Sequence, residues 1–476
     1  MTTFKEAINN TEVETTTTNG MKALKSSLNK NTDLFYKIGA SRGRDIIPQF
    51  EAAYQEDRDI ALRLAQWTRD VRGGAGERAL YRSILKHLER VHMEDLLNTN
   101  ILANTANIGR WDDLLIFENK EVVEKAFGLI ARALSERNGL CAKWLPRKGP
   151  VAVALREYLG LSPKKYRKLL VNLTSVVETQ MCNNDWDNIN YSHVPSKAMS
   201  VYMKAFYKHS PLQIEEYRNA LKSGDPKVKI NASAVYPYEV IKTLAGSYSF
   251  YHKPEAAIID LATAQWNAMP NYMGDAKILP MVDVSGSMTT PVAGSSKVMC
   301  LDVALSLGLY CADKNTGVFS DVILTFSAKP DLMTLKGDIY SKITQMNQGE
   351  WGMNTDIESA FKEVLRVAVK NNVPASEMPA YIAIFSDMQF DSCVKGYSAL
   401  EMIANKYEEA GYQIPKIIFW NLNSHDNVPV RYDAKGTALV SGFSPALMKA
   451  LLANDLETFT PMSVMLKTVM VERYDF

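Results

Sequence analysis

An aspartate and two serines stand at alternate positions directly after an apolar run in residues 277–288, KILPMVDVSGSM. The run predicts a strand that is buried on both faces, as in a parallel sheet. Asp283, Ser285 and Ser287 would then lie beyond the carboxyl end of that strand, where open α/β sheets bind their ligands. One carboxylate and two hydroxyls suit a hard cation such as Mg2+, which prefers oxygen ligands.

Two later stretches supply further oxygen ligands. Thr355 lies in a loop that runs into a helical pattern, and Asp387 follows the apolar run of residues 380–385, AYIAIF. We expect these two side chains to join the first three in one site for Mg2+ or another divalent cation. In the alternative interpretation, Asp283 and Asp387 only cap helices, and the serines mark an ordinary turn.

The ordered set Asp-x-Ser-x-Ser, a Thr-Asp loop and a strand-terminal Asp resembles the metal-ion-dependent adhesion site of von Willebrand factor A domains. The resemblance implies an α/β, Rossmann-like domain. It also implies that one coordination position of the metal accepts an acidic group from a protein partner. The metal ligands would be Asp283, Ser285, Ser287, Thr355 and Asp387.

The periodicity of the chain divides it into three parts. Residues 1–31 are polar and show neither helical nor strand period, which predicts a flexible N-terminal arm. Residues 32–270 carry apolar side chains at three and four spacing, which predicts an all-α domain, either a bundle or a stack of helix pairs. Residues 276–476 alternate strands with helices, which predicts a doubly wound sheet. Its predicted strands are 277–283, 319–327, 380–386 and 415–421.

The composition is that of an ordinary globular protein, with 476 residues of which 46% are hydrophobic. The sequence has no uncharged apolar stretch of about 18 residues and its first residues are not signal-like, so we expect a cytoplasmic protein without a membrane partner. Five cysteines are spread along the chain without a C-x-x-C pair, which argues against a disulfide framework or a zinc site.

Two basic stretches are candidates for contact with nucleic acid. Residues 68–78, TRDVRGGAGER, place three arginines around a glycine-rich turn, and residues 141–170 hold eight lysines and arginines against one acid, with aromatic residues between them. Cations beside stacking rings are what single-stranded nucleic acid prefers. The alternatives are an interhelical turn with internal ion pairs and a solvated helix face. The candidate residues are Arg69, Arg72, Arg78, Lys143, Trp144, Arg147, Lys148, Lys164, Lys165, Tyr166, Arg167 and Lys168.

The first basic stretch and residues 107–115, NIGRWDDLL, resemble the TROVE module of Ro-type ribonucleoproteins. The whole chain from about Asp33 is similar to a little-characterised family, common in phages, that joins a TROVE-like region to a von Willebrand factor A domain. The resemblance implies a ring or arc of HEAT-like helical repeats that binds single-stranded or small structured RNA.

We therefore expect a non-enzymatic, ribonucleoprotein-like RNA-binding protein whose A domain binds a partner through Mg2+. A phage-encoded protein of this kind would act in the host cytoplasm. The alternative is a phage assembly or virion-associated adhesion module that uses the same metal site. A Mg2+-dependent phosphotransferase or nuclease is disfavoured, because the site offers few carboxylates and no positioned base.

Overall fold

The computed structural model describes residues 13–230, 232, 235–245, 254–292, 298–326, 329–348, 354–392, 398–452 and 458–476. The chain forms two compact units. The first, which we call the sheet unit, contains Met1–Leu64, Gly73–Ala75 and Val235–Val471. The second, the helical unit, contains Ala65–Arg72, Gly76–Ala234 and Glu472–Phe476.

The sheet unit begins with a small antiparallel hairpin, β1 (Glu14–Thr16) and β2 (Lys22–Leu24). Helix α1 (Lys30–Ile38) follows, and its first turn is capped by the Asn29 side chain, which accepts a hydrogen bond from the Thr32 amide at 2.8 Å. Helix α2 (Ile47–Glu56) packs against α1. The structure thus differs from the predicted flexible arm of residues 1–31: residues 13–31 are folded, while residues 1–12 lie outside the described part of the chain.

The helical unit takes the last residues of α3 (Arg58–Arg69) and is built from helices throughout its described residues. In α4 (Arg78–Val91) the buried side chains recur at three and four spacing, with Leu80, Ile84 and Leu88 on one face. The all-α prediction is confirmed for this unit. Its remaining helices are α5 (Met93–Asn98), α6 (Ile101–Ile108), α7 (Lys120–Ser135), α8 (Gly139–Trp144), α9 (Pro150–Tyr158), α10 (Pro163–Leu173), α11 (Val177–Cys182), α12 (Ser196–His209) and α13 (Pro211–Ser223).

Two further helices, α14 (Pro237–Ala245) and α15 (Ala256–Asn267), belong to the sheet unit. Helix α16 (Cys300–Lys314) contacts both helices. Lys242 Nζ of α14 lies 3.2 Å from Asp302 Oδ2, and the Trp266 indole of α15 donates to Asp313 at 2.8 Å. The predicted boundary at residues 270–276 therefore differs from the one observed, because these helices bury their apolar faces against the sheet unit.

A six-stranded sheet forms the centre of the sheet unit, in the order β5-β4-β3-β6-β7-β8. All neighbours are parallel except β4 and β5. The four predicted strands are confirmed, and the short strands β5 and β8 were not predicted. The strands are β3 (Ile278–Asp283), β4 (Val322–Phe326), β5 (Asp331–Thr334), β6 (Tyr381–Ser386), β7 (Lys416–Asn421) and β8 (Thr437–Ser441).

Helices cover both faces of this sheet. On one face, Phe361 of α18 joins a core with Met281 and Ile384 of the central strands. On the other face α16 packs so closely that a Cβ atom at Gly308 would lie 2.3 Å from the Val282 side chain. The remaining helices of the unit are α17 (Ile339–Asn347), α18 (Ile357–Lys370), α19 (Ala399–Glu409), α20 (Leu447–Leu452) and α21 (Pro461–Val469).

A helical region followed by an α/β region is thus confirmed. The von Willebrand factor A assignment and the HEAT-like ring stay predictions. Across the described residues, no helix combines the length and the apolar composition that crossing a membrane requires.

Candidate metal centre and basic surface

Two aspartates come together at the carboxyl edge of the sheet. Strands β3 and β6 are parallel neighbours in the middle of the sheet, and Val282 lies opposite Phe385. Asp283 therefore ends one strand where Asp387 directly follows the other. Both side chains are buried, with exposed fractions of 0% and 2%. Asp283 is the last residue of one six-residue buried strand and Asp387 directly follows another, as the sequence predicted, while their role as metal ligands stays a prediction.

Backbone amides and hydroxyls fix the two carboxylates. The Ser285 amide donates to Asp283 Oδ1 at 2.9 Å, and the Ser386 hydroxyl donates to Asp283 Oδ2 at 2.6 Å. The Gln389 amide donates to Asp387 Oδ1 at 3.2 Å. Sequence reasoning missed Ser386, although its place between a buried strand and an aspartate was a usable signal.

The electrostatics of the pair favour a bound cation. Burial, together with the charge on Asp387, raises the pKa of Asp283 to about 7, although hydrogen bonds from Ser386 and Ser285 lower it in part. Among the described residues, neither aspartate forms an ion pair with a lysine or arginine. Two desolvated carboxylates at one point are costly unless a positive charge neutralises them. A divalent cation would supply that charge, so the residues fit the predicted metal.

The three predicted hydroxyl ligands lie at the same edge. Ser285 and Ser287 Oγ are 3.1 Å apart, just beyond Asp283. Thr355 is buried, and its amide donates to Asp391 Oδ2 at 3.1 Å while its carbonyl accepts from the Asp391 amide at 3.0 Å. This double contact ties the Thr355 loop to the loop that follows β6. Residues 352–353 of the predicted Thr355 loop lie outside the described residues.

The turn of the N-terminal hairpin holds the loop that follows β6. Thr17 Oγ1 donates to the carbonyl of Phe390 at 2.6 Å. The amide and hydroxyl of Thr18 both donate to Gln389 Oε1, at 2.8 and 2.7 Å, and Asn19 Nδ2 donates to the Gln389 carbonyl at 2.7 Å. The threonine-rich segment, predicted to be a flexible arm, therefore braces the loop after β6, which begins with the candidate ligand Asp387.

The loop after β7 forms a wall beside Asp387. It begins where the Leu422 amide donates to the Ser386 carbonyl at 3.0 Å. Arg44, from the segment after α1, donates to the Ser424 carbonyl and, at 2.7 Å, to Asn423 Oδ1. The wall consists of Tyr36, Arg44 and residues 422–425, and sequence reasoning missed it because its parts are far apart in the chain.

Part of the basic stretch at residues 68–78 is buried structure. Asp113 accepts from Arg69 Nε at 2.7 Å, from Arg78 Nε at 2.9 Å and from Arg82 Nε at 2.7 Å. Arg69 is only 2% exposed, so it is not available to a phosphate, and its predicted role in RNA binding is wrong. Arg78 also pairs with Asp112, whereas Arg72 is exposed.

Two of the aromatic residues in the second basic stretch, Trp144 and Tyr166, are engaged within the helical unit, whereas Tyr158 is 47% exposed. Tyr166 is 3% exposed, and its hydroxyl donates to the Pro146 carbonyl at 3.0 Å, so its predicted stacking on a base is wrong. The guanidinium of Arg110 lies 3.9 Å from the centre of the Trp144 ring. That face of the indole is therefore already covered by a cation.

The cations of this stretch, by contrast, lie on the surface. Ser162 caps α10 and Pro163 begins it, as the Ser-Pro pair indicates. The Tyr166 to Pro146 hydrogen bond holds the loop before α9 next to this helix. Lys143 lies 3.7 Å from Glu178, but six other cations are exposed and form no ion pair within the described part of the chain. We call them the basic face: Arg147, Lys148, Lys164, Lys165, Arg167 and Lys168.

Two family models match this chain, and both describe domains of unknown function. Residues 277–469, which contain the sheet and its aspartates, match the domain of unknown function DUF7788. Residues 129–277, which contain the basic face, match the domain of unknown function DUF2828. The chain is thus similar to two domain classes that have no assigned activity.

Among individual proteins, the chain is similar to the uncharacterized protein L728 of Acanthamoeba polyphaga mimivirus. The two are 29% identical over 515 residues, which cover 94% of this chain and 86% of the viral protein. The crystal structure of the Deinococcus radiodurans RO (RSR) protein aligns with 93% of this chain and 93% of its own, at 13% identity and a TM-score of 0.36. A likeness this distant determines neither fold nor function.

Proposed function

We propose that the sheet unit is a von Willebrand factor A-like binding module that holds one divalent cation, Mg2+ in the cell, between Asp283 and Asp387. The observation that carries the proposal is the pair of buried carboxylates at the ends of adjacent parallel strands, without a lysine or arginine partner among the described residues. Ser285, Ser287 and Thr355 would complete the oxygen set directly or through water.

Binding, rather than catalysis, is the activity that this arrangement supports. The neighbouring acids are engaged elsewhere: Asp356 caps α18 through Ser359, and Asp391 holds the Thr355 loop. The two remaining carboxylates suffice for one cation, whereas two-metal hydrolysis needs a second one nearby. The cation would offer one coordination position to a group of the partner.

Thermal unfolding in Mg2+ tests this proposal. A ligand that binds only the folded state at about 100 times its dissociation constant stabilises it by about 2.7 kcal/mol. We expect such a rise in the free energy of unfolding for the native chain and none for Asp387→Asn. The matched control is Asp356→Asn, which removes a neighbouring acid but should keep the response to Mg2+. Equal responses in all three proteins would contradict the proposal.

A second proposed activity is RNA binding by the helical unit. It is supported by the basic face, whose six exposed cations lack internal partners among the described residues and are therefore available to phosphates. A single-stranded RNA would follow the loop before α9 and the exposed side of α10. Affinity should come from phosphate neutralisation more than from stacking, since Tyr166 is buried and Trp144 is covered on one side.

A further inference from the structure

The wall beside the metal centre presents polar groups that the metal ligands do not use. Arg44 has five N–H donors, and its contacts with Ser424 and Asn423 occupy two of them. The Arg44 side chain reaches this place from the exposed segment after α1, and the Ser424 amide in turn donates to the Ala40 carbonyl at 3.1 Å. The guanidinium is therefore held in a fixed position with donors to spare.

Two neutral groups in the wall are buried and without hydrogen-bond partners in the described residues. They are the Tyr36 hydroxyl, on a side chain that is fully buried, and His425 Nε2. Burial raises the pKa of the Tyr36 hydroxyl well above its ordinary value, and the charge on Asp387 adds to this shift. Burial lowers the pKa of His425 and keeps the imidazole neutral near pH 7, although the charge on Asp387 opposes that shift. Buried polar groups without partners are rare in folded proteins and call for an explanation.

The backbone places this wall directly against the metal loops. Leu422 is bonded to Ser386, and at the far end of the same loop Asn427 Nδ2 lies 3.5 Å from Gln389 Oε1. The loops after β6 and β7 thus run side by side, with Asp387 on one and His425 on the other. A group bound to a cation at Asp387 would face the wall.

We propose that the group which completes the metal centre is a phosphoryl group, held by the cation on one side and by Arg44 and His425 on the other. This inference rests on the proposed cation site and names the ligand of that site. The cation would neutralise the two aspartates, so the Arg44 guanidinium would be free to attract an anion bound to the cation, against the opposing charge of Asp426 beside His425. His425 Nε2, in its protonated tautomer, and the Tyr36 hydroxyl add donors.

A tetrahedral phosphoryl group suits this geometry better than a carboxylate. It has three terminal oxygens, so one can bind Mg2+ while the others accept from the guanidinium and the imidazole. Mg2+ in proteins commonly combines one or two carboxylates with phosphate oxygens. A carboxylate has only two oxygens and would leave one side of the wall without a partner.

Calorimetric titration of inorganic phosphate into the Mg2+-saturated full chain tests the inference. We expect phosphate to bind only when Mg2+ is present, and Arg44→Gln to weaken it at least about tenfold, the effect of losing one charge-assisted hydrogen bond. Arg44→Lys keeps the charge, so its affinity for phosphate should lie between those of the native chain and Arg44→Gln. The control Lys370→Gln removes an exposed cation at the far end of α18 and should bind phosphate as the native chain does. Every variant should still bind Mg2+, and Arg44→Gln should bind it no more weakly than the native chain, because the change removes a neighbouring positive charge.

Parallel titrations with acetate, phenyl phosphate and dimethyl phosphate identify the form of the ligand. Tighter binding of phenyl phosphate than of dimethyl phosphate supports a phosphate monoester, which keeps three terminal oxygens. The reverse order overturns the inference, because a diester has only two terminal oxygens. Acetate that binds as tightly as phosphate overturns the inference, as does phosphate affinity that Arg44→Gln leaves unchanged. If Mg2+ binds but phosphate does not, only this inference fails. If Mg2+ itself does not bind, the proposed function fails with it.

Discussion

The Ser386 hydroxyl donates a 2.6 Å hydrogen bond to Asp283, from the end of one parallel strand to the end of its neighbour. The same oxygen of Ser386 accepts from the Met388 amide at 2.9 Å. One serine thus orients the first aspartate and shapes the loop that carries the second. Both contacts lie in a fully buried environment, where hydrogen-bond geometry is well defined.

Ser386→Ala should therefore weaken Mg2+ binding without unfolding the protein. Partners that orient a metal ligand typically contribute 10- to 100-fold to affinity, so we expect a loss of about tenfold. Ser386→Thr keeps the hydroxyl and should retain most of the affinity. A titration in which Ser386→Ala binds Mg2+ like the native chain would show that this hydrogen bond does not position Asp283.

The metal-free protein should lose stability as the pH rises. The folded-state pKa of Asp283 is about 7, above the ordinary value of 3.8, so between these values the folded state holds a proton that the unfolded state has lost. This contribution is fully present below the ordinary pKa and is lost as the pH rises through about 7. The free energy of unfolding should fall by at most about 1.4 kcal/mol per pH unit in that window.

Denaturant titrations across the pH series, without divalent cations, measure this effect. Asp283→Asn has nearly the same shape and cannot ionise, so its profile should lack the fall. Because Mg2+ binds the ionised carboxylate, its affinity for the native chain should increase with pH through the same range. If the free energy of unfolding changes with pH in the same way in both proteins, the titrating group is not Asp283.

The N-terminal turn should support metal affinity from outside the metal centre. Thr18→Val removes one hydrogen bond to Gln389, and Asn19→Ala removes another. Each bond contributes about 1 kcal/mol, so the double variant should weaken Mg2+ binding several-fold if the loop after β6 loosens. Glu14→Gln, in the exposed part of β1, is the matched control. If the double variant binds Mg2+ as tightly as the native chain, the N-terminal turn does not support the metal site.

Sequence reasoning placed Asp283 and Asp387 at the ends of neighbouring strands because the signals for this placement are local. An apolar run followed by a carboxylate indicates both a strand and a candidate ligand at its end. Asp283 directly follows the apolar residues 278–282, and Asp387 follows the apolar residues 380–385 after one serine. The contacts of the hairpin turn were missed because they join distant parts of the chain: Thr17 lies 373 positions from its partner Phe390. A run of threonines without a helical or strand period also has the composition of a linker. Strand β8 has only five residues, which is too short for a strand period to be detected.

The basic stretches show the opposite error. Arginines beside glycines predict a phosphate site, yet Arg69 finds its partner in Asp113, 44 positions away, and is buried with it. Likewise, Tyr166 has the spacing of a stacking residue but is held in the core by Pro146. Neither pairing has a local signature, so composition alone could not separate structural from exposed groups.

RNA binding, if it uses the basic face, should depend strongly on salt. Each phosphate contact adds about 0.7 to the slope of log affinity against log salt for a single strand, so neutralising Lys164, Arg167 and Lys168 should flatten it by roughly 2. The matched control neutralises three cations of the sheet unit: Lys362, Lys370 and Lys449. Filter binding of single-stranded RNA across a salt series measures both. A slope near zero for the native chain would favour the adhesion-module alternative.

The cation site itself is tested most directly by isothermal titration of Mg2+ into the metal-free full chain at pH 8, beside Asp283→Asn. We predict one Mg2+ per native chain, and an affinity at least about 100-fold lower in the variant, since a direct ligand should matter more than the partners that orient it. The variant should unfold at the same or a higher temperature without Mg2+, because it removes one of two buried like charges. Equal Mg2+ binding by a folded Asp283→Asn protein would contradict the site.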